Sequence, residues 1–325
     1  MISTILSTML PIVVTLMLGF VAAWHHDFNA KEATILNRMV LTYAVPLSVF
    51  VGTISTSRAN LIQSIPLALA ILVGIVGMYA LVYLLCRFVF RFTMATSALA
   101  ALTAAGPAVP FYGPAILGSV FGAGSAVPIA VASIVINITI VPFTIFLLTM
   151  GSARKLAPVG ASVAAAAAAP ESAGAVLKEH LSETIRKPLV WAPLLGFAIV
   201  LVNIHVPDLV GHSFLLLGHA SAGVALFAAG IVLAAYKVKL DWYTGLFALL
   251  KNVVQPGLVF GGLLWLGLSG SVVSQATMTM AIPAMPIVVM LSLEYGVAEE
   301  YAPSILLVST LASIFTVGGF IALTS

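Results

Sequence analysis

Apolar residues run along this chain in stretches of roughly 20, the length a helix needs to cross a ~30 Å hydrocarbon core. Short polar or basic intervals separate the stretches. The pattern predicts ten spans, at 3–23, 33–54, 63–86, 95–119 and 126–148, then 187–206, 213–235, 243–267, 272–292 and 302–323. One long interval divides them five and five. It opens on Arg154-Lys155, passes an alanine-rich tract at 161–169, and closes with Leu177 to Arg186, a piece with the makeup of a short surface helix. The organisation expected is a first five-helix unit over 1–149, a linker over 150–186 and a second five-helix unit over 187–325.

Two spans break their own pattern. Pro107-Ala108-Val109-Pro110 lies inside the fourth, and Pro283-Ala284-Met285-Pro286 inside the ninth. A proline within a helix removes a hydrogen bond and clashes with the carbonyl four residues back, at roughly 3 kcal/mol. Two prolines three apart, with Gly106, Gly113 and Pro114 beside the first pair, predict a break rather than a bend. In hydrocarbon the freed backbone groups find no water, so a break persists only when buried in protein or lining a wet cavity.

Five spans per unit is an odd number, so the two units enter the membrane in opposite senses. If they are homologous, they form an inverted repeat. Both prolyl runs fall in the fourth span of their unit, the third spans carry Pro66 and Pro256, and the first spans pair Pro11 with Gly19-Phe20 and Pro193 with Gly196-Phe197. The fold expected is an all-α membrane protein: ten transmembrane helices in two inverted repeats, helices 4 and 9 broken and crossing at the midplane. Matching broken spans in two halves point to a transporter's substrate site.

Composition agrees. Of 325 residues, 62% are hydrophobic and 7% charged, against about 25% charged in a soluble domain. Eleven of the 13 basic residues fall on one side when the N-terminus is placed outside; Arg58 lies opposite and Lys251 within a span. By the positive-inside rule both termini are expected outside and the long linker in the cytoplasm of a cell (inner) membrane. The first segment, lacking a basic n-region, reads as a retained helix rather than a signal peptide. The basic residues sit in loops, so the net charge of +3 carries no implication of nucleic-acid binding. Cys86 stands alone, which excludes a disulfide framework and a thiolate cluster.

Few side chains offer chemistry. The N-terminal ends of the half-helices beyond each break carry about half a positive charge and attract anions. Lys251 sits about nine residues into its span, near the midplane, with Asn252 and Gln255 close by and Pro256 loosening the helix. Two readings of it stay open: attraction of an anion, or snorkelling or pairing with a carbonyl freed by a break. Tyr112 beside the first break, Asn137 in the fifth span, and Gln275 and Thr279 before the second break are candidate ligands, each taken singly more a packing polar group than a ligand. Asp27, Asp208, Asp241, Glu294, Glu299 and Glu300 fall at span ends or in loops, so no buried acid pair suggests cation exchange. The histidines lie near span ends or in loops, His219 a little deeper. No phosphate-binding loop, dinucleotide fingerprint or metal-ligand spacing appears, so no cofactor, no metal and no catalytic residue is expected.

Several motifs have a resemblance. Leu10-Pro11 through Gly19-Phe20, Phe111-Tyr112-Gly113-Pro114 running to Phe121-Gly122, and Ala281-Ile282-Pro283 through Glu294-Tyr295-Gly296 with Ser309-Thr310-Leu311 resemble the auxin efflux carrier family over nearly the whole chain. Among bacterial members the likeness is greatest to the malonate carrier branch. The resemblance implies ten helices in inverted repeats, with helices four and nine crossing at prolines. It also implies an asparagine in the fourth-span break, where Ala108 stands here, so that backbone amides, Tyr112 or Lys251 would compensate.

The function expected is a secondary transporter, not an enzyme, that moves a small mono- or dicarboxylate such as malonate by alternating access. A sodium-linked organic-anion symporter of similar architecture, or a membrane ligand sensor, is the alternative. Expected partners are the anion, the bilayer and a coupling proton or sodium ion; a homodimer stays open.

Overall fold

The computed structural model of the chain describes residues 2–55, 58–153, 188–204, 206–218, 220–235 and 239–324. The alanine-rich tract, the predicted surface helix at Leu177 to Arg186, His180, His205 and His219 lie outside the described residues. Among the described residues the chain is helical, and its only bridge between extended segments pairs Pro107 with Ala284.

The first half begins with α1 (Ile2–Trp24), then α2 (Ala30–Met39) and α3 (Val45–Ile54), which together form one span. Asn29 starts α2 with a capping box: its side chain accepts from the Lys31 and Glu32 amides, while Glu32 accepts from the Asn29 amide at 2.6 Å. A short α4 (Arg58–Gln63), not foreseen in the sequence, precedes α5 (Ile65–Leu84). The expected fourth span appears as two pieces, α6 (Met94–Ala105) and α7 (Val109–Phe121). The fifth comprises α8 (Ala126–Val135) and α9 (Val141–Ala153).

The second half holds α10 (Pro188–Leu201), α11 (Asp208–Gly218), α12 (Ala220–Ala235), α13 (Trp242–Leu249) and α14 (Gln255–Trp265). Its interrupted span is α15 (Ser271–Ala281) and α16 (Ile287–Tyr295), and α17 (Tyr301–Thr324) follows. Among the described residues six stretches are long and apolar enough to cross a membrane unaided: Lys31–Ile54, Ile65–Val89, Val109–Gly151, Leu209–Ala235, Trp242–Trp265 and Tyr301–Thr324. Shorter apolar helices stand beside them at Val13–Trp24, Met94–Ala105 and Val190–Leu201. The breaks divide the expected fourth and ninth spans, and α7 runs on through a tight turn into α8, so that Val109–Gly151 forms one stretch of 43 residues.

Joins between half-spans carry a common device. Val45, Val141 and Gln255 donate five residues back, to Val40, Ile136 and Leu250, and each is followed by a proline: Pro46, Pro142 and Pro256. A proline cannot donate and its ring crowds the carbonyl four residues earlier. One widened π turn ahead of it relieves that crowding. The third of these turns carries Lys251 and Asn252.

Two helix pairs pack closely through glycines. A Cβ on Gly19 would meet the Phe227 carbonyl oxygen at 2.0 Å, and one on Gly230 would meet the Leu16 oxygen at 2.1 Å, so α1 and α12 approach through these glycines. Likewise α10 lies on α3, with Gly196 against Thr53. Small residues at such crossings let membrane helices exchange dispersion contact that lipid would otherwise supply.

Candidate functional site: the crossing of two interrupted spans

The helix of α6 ends at Gly106, where the backbone swings to an extended conformation, and α15 ends the same way at Ile282. The unwound residues meet. Pro107 and Ala284 face each other in antiparallel register, and the Ala108 amide donates to the Pro283 carbonyl at 2.8 Å. Pro107, Ala108, Val109, Pro110, Pro283, Ala284, Met285 and Pro286 are all buried. Room for this approach comes from Gly106: a Cβ there would lie 2.1 Å from Met285 Cε and 2.8 Å from the Leu102 oxygen.

Each break frees backbone groups, and two neighbouring spans answer them, one with Lys251 and Gln255 and the other with Ser309. Lys251 Nζ donates to the Met280 carbonyl at 2.7 Å and to Gln255 Oε1 at 2.8 Å. Gln255 Nε2 donates in turn to the Ala105 carbonyl at 2.8 Å, at the end of α6, and to the Gly74 carbonyl at 3.3 Å. The Ala284 amide donates to Ser309 Oγ at 3.0 Å, and Ser309 Oγ donates to Asn252 Oδ1 at 2.6 Å. Asn252 Nδ2 closes the ring on the Ser309 carbonyl at 2.6 Å. Lys251 is 0% exposed. The side chain does not snorkel but pairs with a carbonyl freed by the second break, and the same position suits the attraction of an anion.

The other predicted residues divide. Tyr112 is buried in the first turn of α7, its hydroxyl directed at Thr310 without meeting it at hydrogen-bond geometry. Gly113 packs on Ile129, and Pro114 lies half-buried within α7. Asn137 Nδ2 bonds its own helix at the Ser133 carbonyl, away from the crossing network. Thr279 donates to the Gln275 carbonyl at 2.6 Å, and Gln275 Nε2 to Ser271 Oγ at 2.9 Å. At the start of α7 the amides are turned onto the chain's own carbonyls: Phe111 and Tyr112 both donate to Ala108 oxygen at 3.0 Å. A guest at that end would meet the helix dipole more than free N–H groups.

Ser309 is the member that inspection of the sequence as a set of ligands overlooks. Its signal is a Ser-Thr pair midway along a span that also holds Ser304, Ser313 and Thr316. The carbonyls of Met280, Ala105 and Gly74 leave no signal, since their role depends on tertiary approach.

Two cavities lie at opposite ends of the bundle. One, of about 430 Å³, is lined by Ser55, Gln63, Ser64, Ser271 and Gln275 together with small and apolar residues. The other, of about 150 Å³, is lined by Phe92, Thr96, Thr103, Tyr243 and Tyr301 among others, and reaches to within one helical turn of the first break. Its mouth is aromatic: Tyr243 lies 5.5 Å from Phe92 and 6.3 Å, edge-on, from Tyr301. Lys239 Nζ stands 4.8 Å over the Tyr301 ring and 3.0 Å from Glu300 Oε2. The Glu300 carboxylate raises the Lys239 pKa, and the Thr244 amide lowers that of Asp241, the residue capping α13. Between the two cavities the crossing itself is buried.

Comparison with known proteins gives a concordant result. Residues 4–321 match the family described as "Membrane transport protein". The chain is 30% identical over 261 residues to the "Uncharacterized transporter YfdV" of Escherichia coli (strain K12), covering 79% of this chain and 77% of that protein. It is 24% identical over 318 residues to the "Putative malonate transporter" of Rhizobium meliloti (strain 1021), covering 96% and 93% respectively.

Proposed function

We propose that this chain, which belongs to the membrane transport protein family, that of the auxin efflux carriers, carries a small organic anion across the membrane through the crossing of its two interrupted spans. The observation that carries this reading is the joint burial of the two breaks, bonded to each other through Ala108 and Pro283. An unwound backbone is unfavourable by several kcal/mol per unsatisfied group in hydrocarbon. The chain maintains two of them in one place, with a cavity at either end of the bundle and the one buried lysine or arginine of the described residues beside them. Half-helix dipoles and the Lys251 ammonium together favour negative charge there.

The packing supports reading the chain as ten spans in two inverted repeats. Gly19, Pro107 and Ser133 precede Gly196, Pro283 and Ser309 by 177, 176 and 176 residues. The same shift carries Thr103 onto Thr279. It also carries one helix pairing onto another: α1 on α12 becomes α10 on α3, with Gly196 in the role of Gly19. The two cavities obey it as well, since the aromatic one lies at the starts of α6, α13 and α17 and the polar one at the starts of α15, α5 and α8. Rocking of one repeat against the other would open these cavities in turn. With the basic loops in the cytoplasm, the aromatic cavity faces inward and both termini face outward.

A short carboxylate of the malonate type is the substrate class this site fits, in keeping with the name of the Rhizobium relative. Importing a monoanion against an inside-negative potential costs about 2.3 kcal/mol per 100 mV, so uptake needs coupling and efflux does not. Proteoliposomes containing the purified chain are expected to take up labelled malonate, or another short carboxylate, saturably. Flux equal to that of protein-free liposomes across a panel of such acids would refute the reading.

A further inference from the structure

The surroundings of Lys251 are those of a cation site. Its ammonium touches a peptide carbonyl, Met280, and a side-chain amide oxygen, Gln255 Oε1, at 2.7 and 2.8 Å. It does so at the C-terminal end of α15, where the last carbonyls lose their helical partners because the chain turns extended at Ile282. Such an end carries about half a negative charge. No carboxylate joins it: among the described residues the ion pair is that of Lys239 with Glu300, on the bundle's surface. Neutral oxygens from an unwound backbone at the C-terminal end of a half-helix are the donor set that holds a sodium ion in transporters with broken spans. Here the site is buried and the positive charge is part of the chain.

We propose that Lys251 is a tethered cation, its ammonium standing where a dissociable monovalent cation would otherwise bind at the second break. A bound ion must be collected from solution on each cycle, and its gradient then drives transport. A covalently fixed group need not be collected from solution and links transport to no sodium gradient. It satisfies the Met280 carbonyl, holds Gln255 against the Ala105 carbonyl of the other break, and offsets one negative charge of a guest. That last consequence rests on the anion-carrier reading; the cation site does not. The carrier would therefore require no sodium, and removing the ammonium would create a site that sodium can fill.

The test uses the full-length chain purified in detergent, with thermal unfolding measured in about 0.15 M choline, potassium or sodium chloride. Wild-type protein is expected to unfold at the same temperature in all three. Lys251→Asn, which leaves space and adds an oxygen, and Lys251→Ala, which leaves space alone, are expected to unfold earlier in choline. Sodium should raise their midpoints by about 2–4 °C over choline and potassium. A simply structural lysine would give no ion-selective recovery. The proposal fails if neither variant responds selectively to sodium, if the wild type does, or if neither variant is recoverable in any of the salts. In proteoliposomes, carboxylate flux by the wild type should be indifferent to sodium, and flux by Lys251→Asn should depend on it. Absence of wild-type flux would sink the carrier reading while the unfolding midpoints still decide this one.

Discussion

The Ala108 amide donates to the Pro283 carbonyl at 2.8 Å, so the two interrupted spans are bonded to each other at the point where each has lost its own helix. Their approach depends on Gly106, whose missing Cβ would lie 2.8 Å from the Leu102 oxygen and closer still to the Met285 methyl. The methyl can move; the carbonyl cannot without shifting α6. Gly106→Ala should destabilise the protein by about 1–3 kcal/mol, and Gly106→Val by more, read as a lower unfolding midpoint in detergent. Equal midpoints would mean that the spans do not meet as closely as described.

Ser309 accepts from the Ala284 amide and donates to Asn252, which returns a bond to the Ser309 carbonyl. Ser309→Ala strands a buried amide and a buried amide oxygen, at about 1–3 kcal/mol. Asn252→Ala removes one of the same bonds, Ser309 Oγ to Asn252 Oδ1, together with the Nδ2 bond to the Ser309 carbonyl. The double variant should therefore be less destabilised than the sum of the singles, by roughly 0.5–3 kcal/mol. Additive losses in a double-mutant cycle would separate the two residues.

Gly19 and Gly230 bring α1 and α12 into backbone contact. A methyl at either site has no flexible neighbour to displace, only the carbonyls of Phe227 and Leu16. Gly19→Ala and Gly230→Ala should each cost about 1–3 kcal/mol. The second substitution should cost less once the first has pushed the helices apart. Gly77, with nothing within 4 Å of its would-be Cβ, is the control: Gly77→Ala should leave the midpoint in place.

Asp241 caps α13 at the aromatic end, accepting from the Thr244 amide at 2.9 Å. That bond lowers its pKa, so its contribution to stability is full above the ordinary carboxylate range and is lost as pH falls through the lowered value. Asp241→Asn keeps the acceptor and removes the charge. The difference in midpoint between wild type and Asp241→Asn should narrow between neutral pH and about pH 3. A difference independent of pH would remove the carboxylate from the cap.

Much of this architecture is legible in the chain because proline is a local signal. Pro107 with Pro110, and Pro283 with Pro286, mark the two breaks without any tertiary information, and Lys251 marks itself as a charge where hydrocarbon is expected. What it pairs with is another matter. The Met280 carbonyl becomes a partner only because α15 ends there beside the π turn that carries Lys251, and a peptide carbonyl has no residue type to betray it. The widened turns before Pro46, Pro142 and Pro256 had a cue in those prolines. It yields a turn rather than a kink only when the neighbouring helices fix the path. Asn137 illustrates the opposite error: a polar residue in a span is as readily satisfied by its own helix.

Counterflow measures the central claim most directly. Proteoliposomes preloaded with an unlabelled short carboxylate, then diluted into labelled malonate, are predicted to show a transient overshoot of label, the signature of one site exposed alternately to either side. Gly106→Val, which forces the crossing apart, should abolish the overshoot at a temperature where the protein remains folded. No overshoot with any short mono- or dicarboxylate, or an overshoot unchanged in Gly106→Val, would contradict the account.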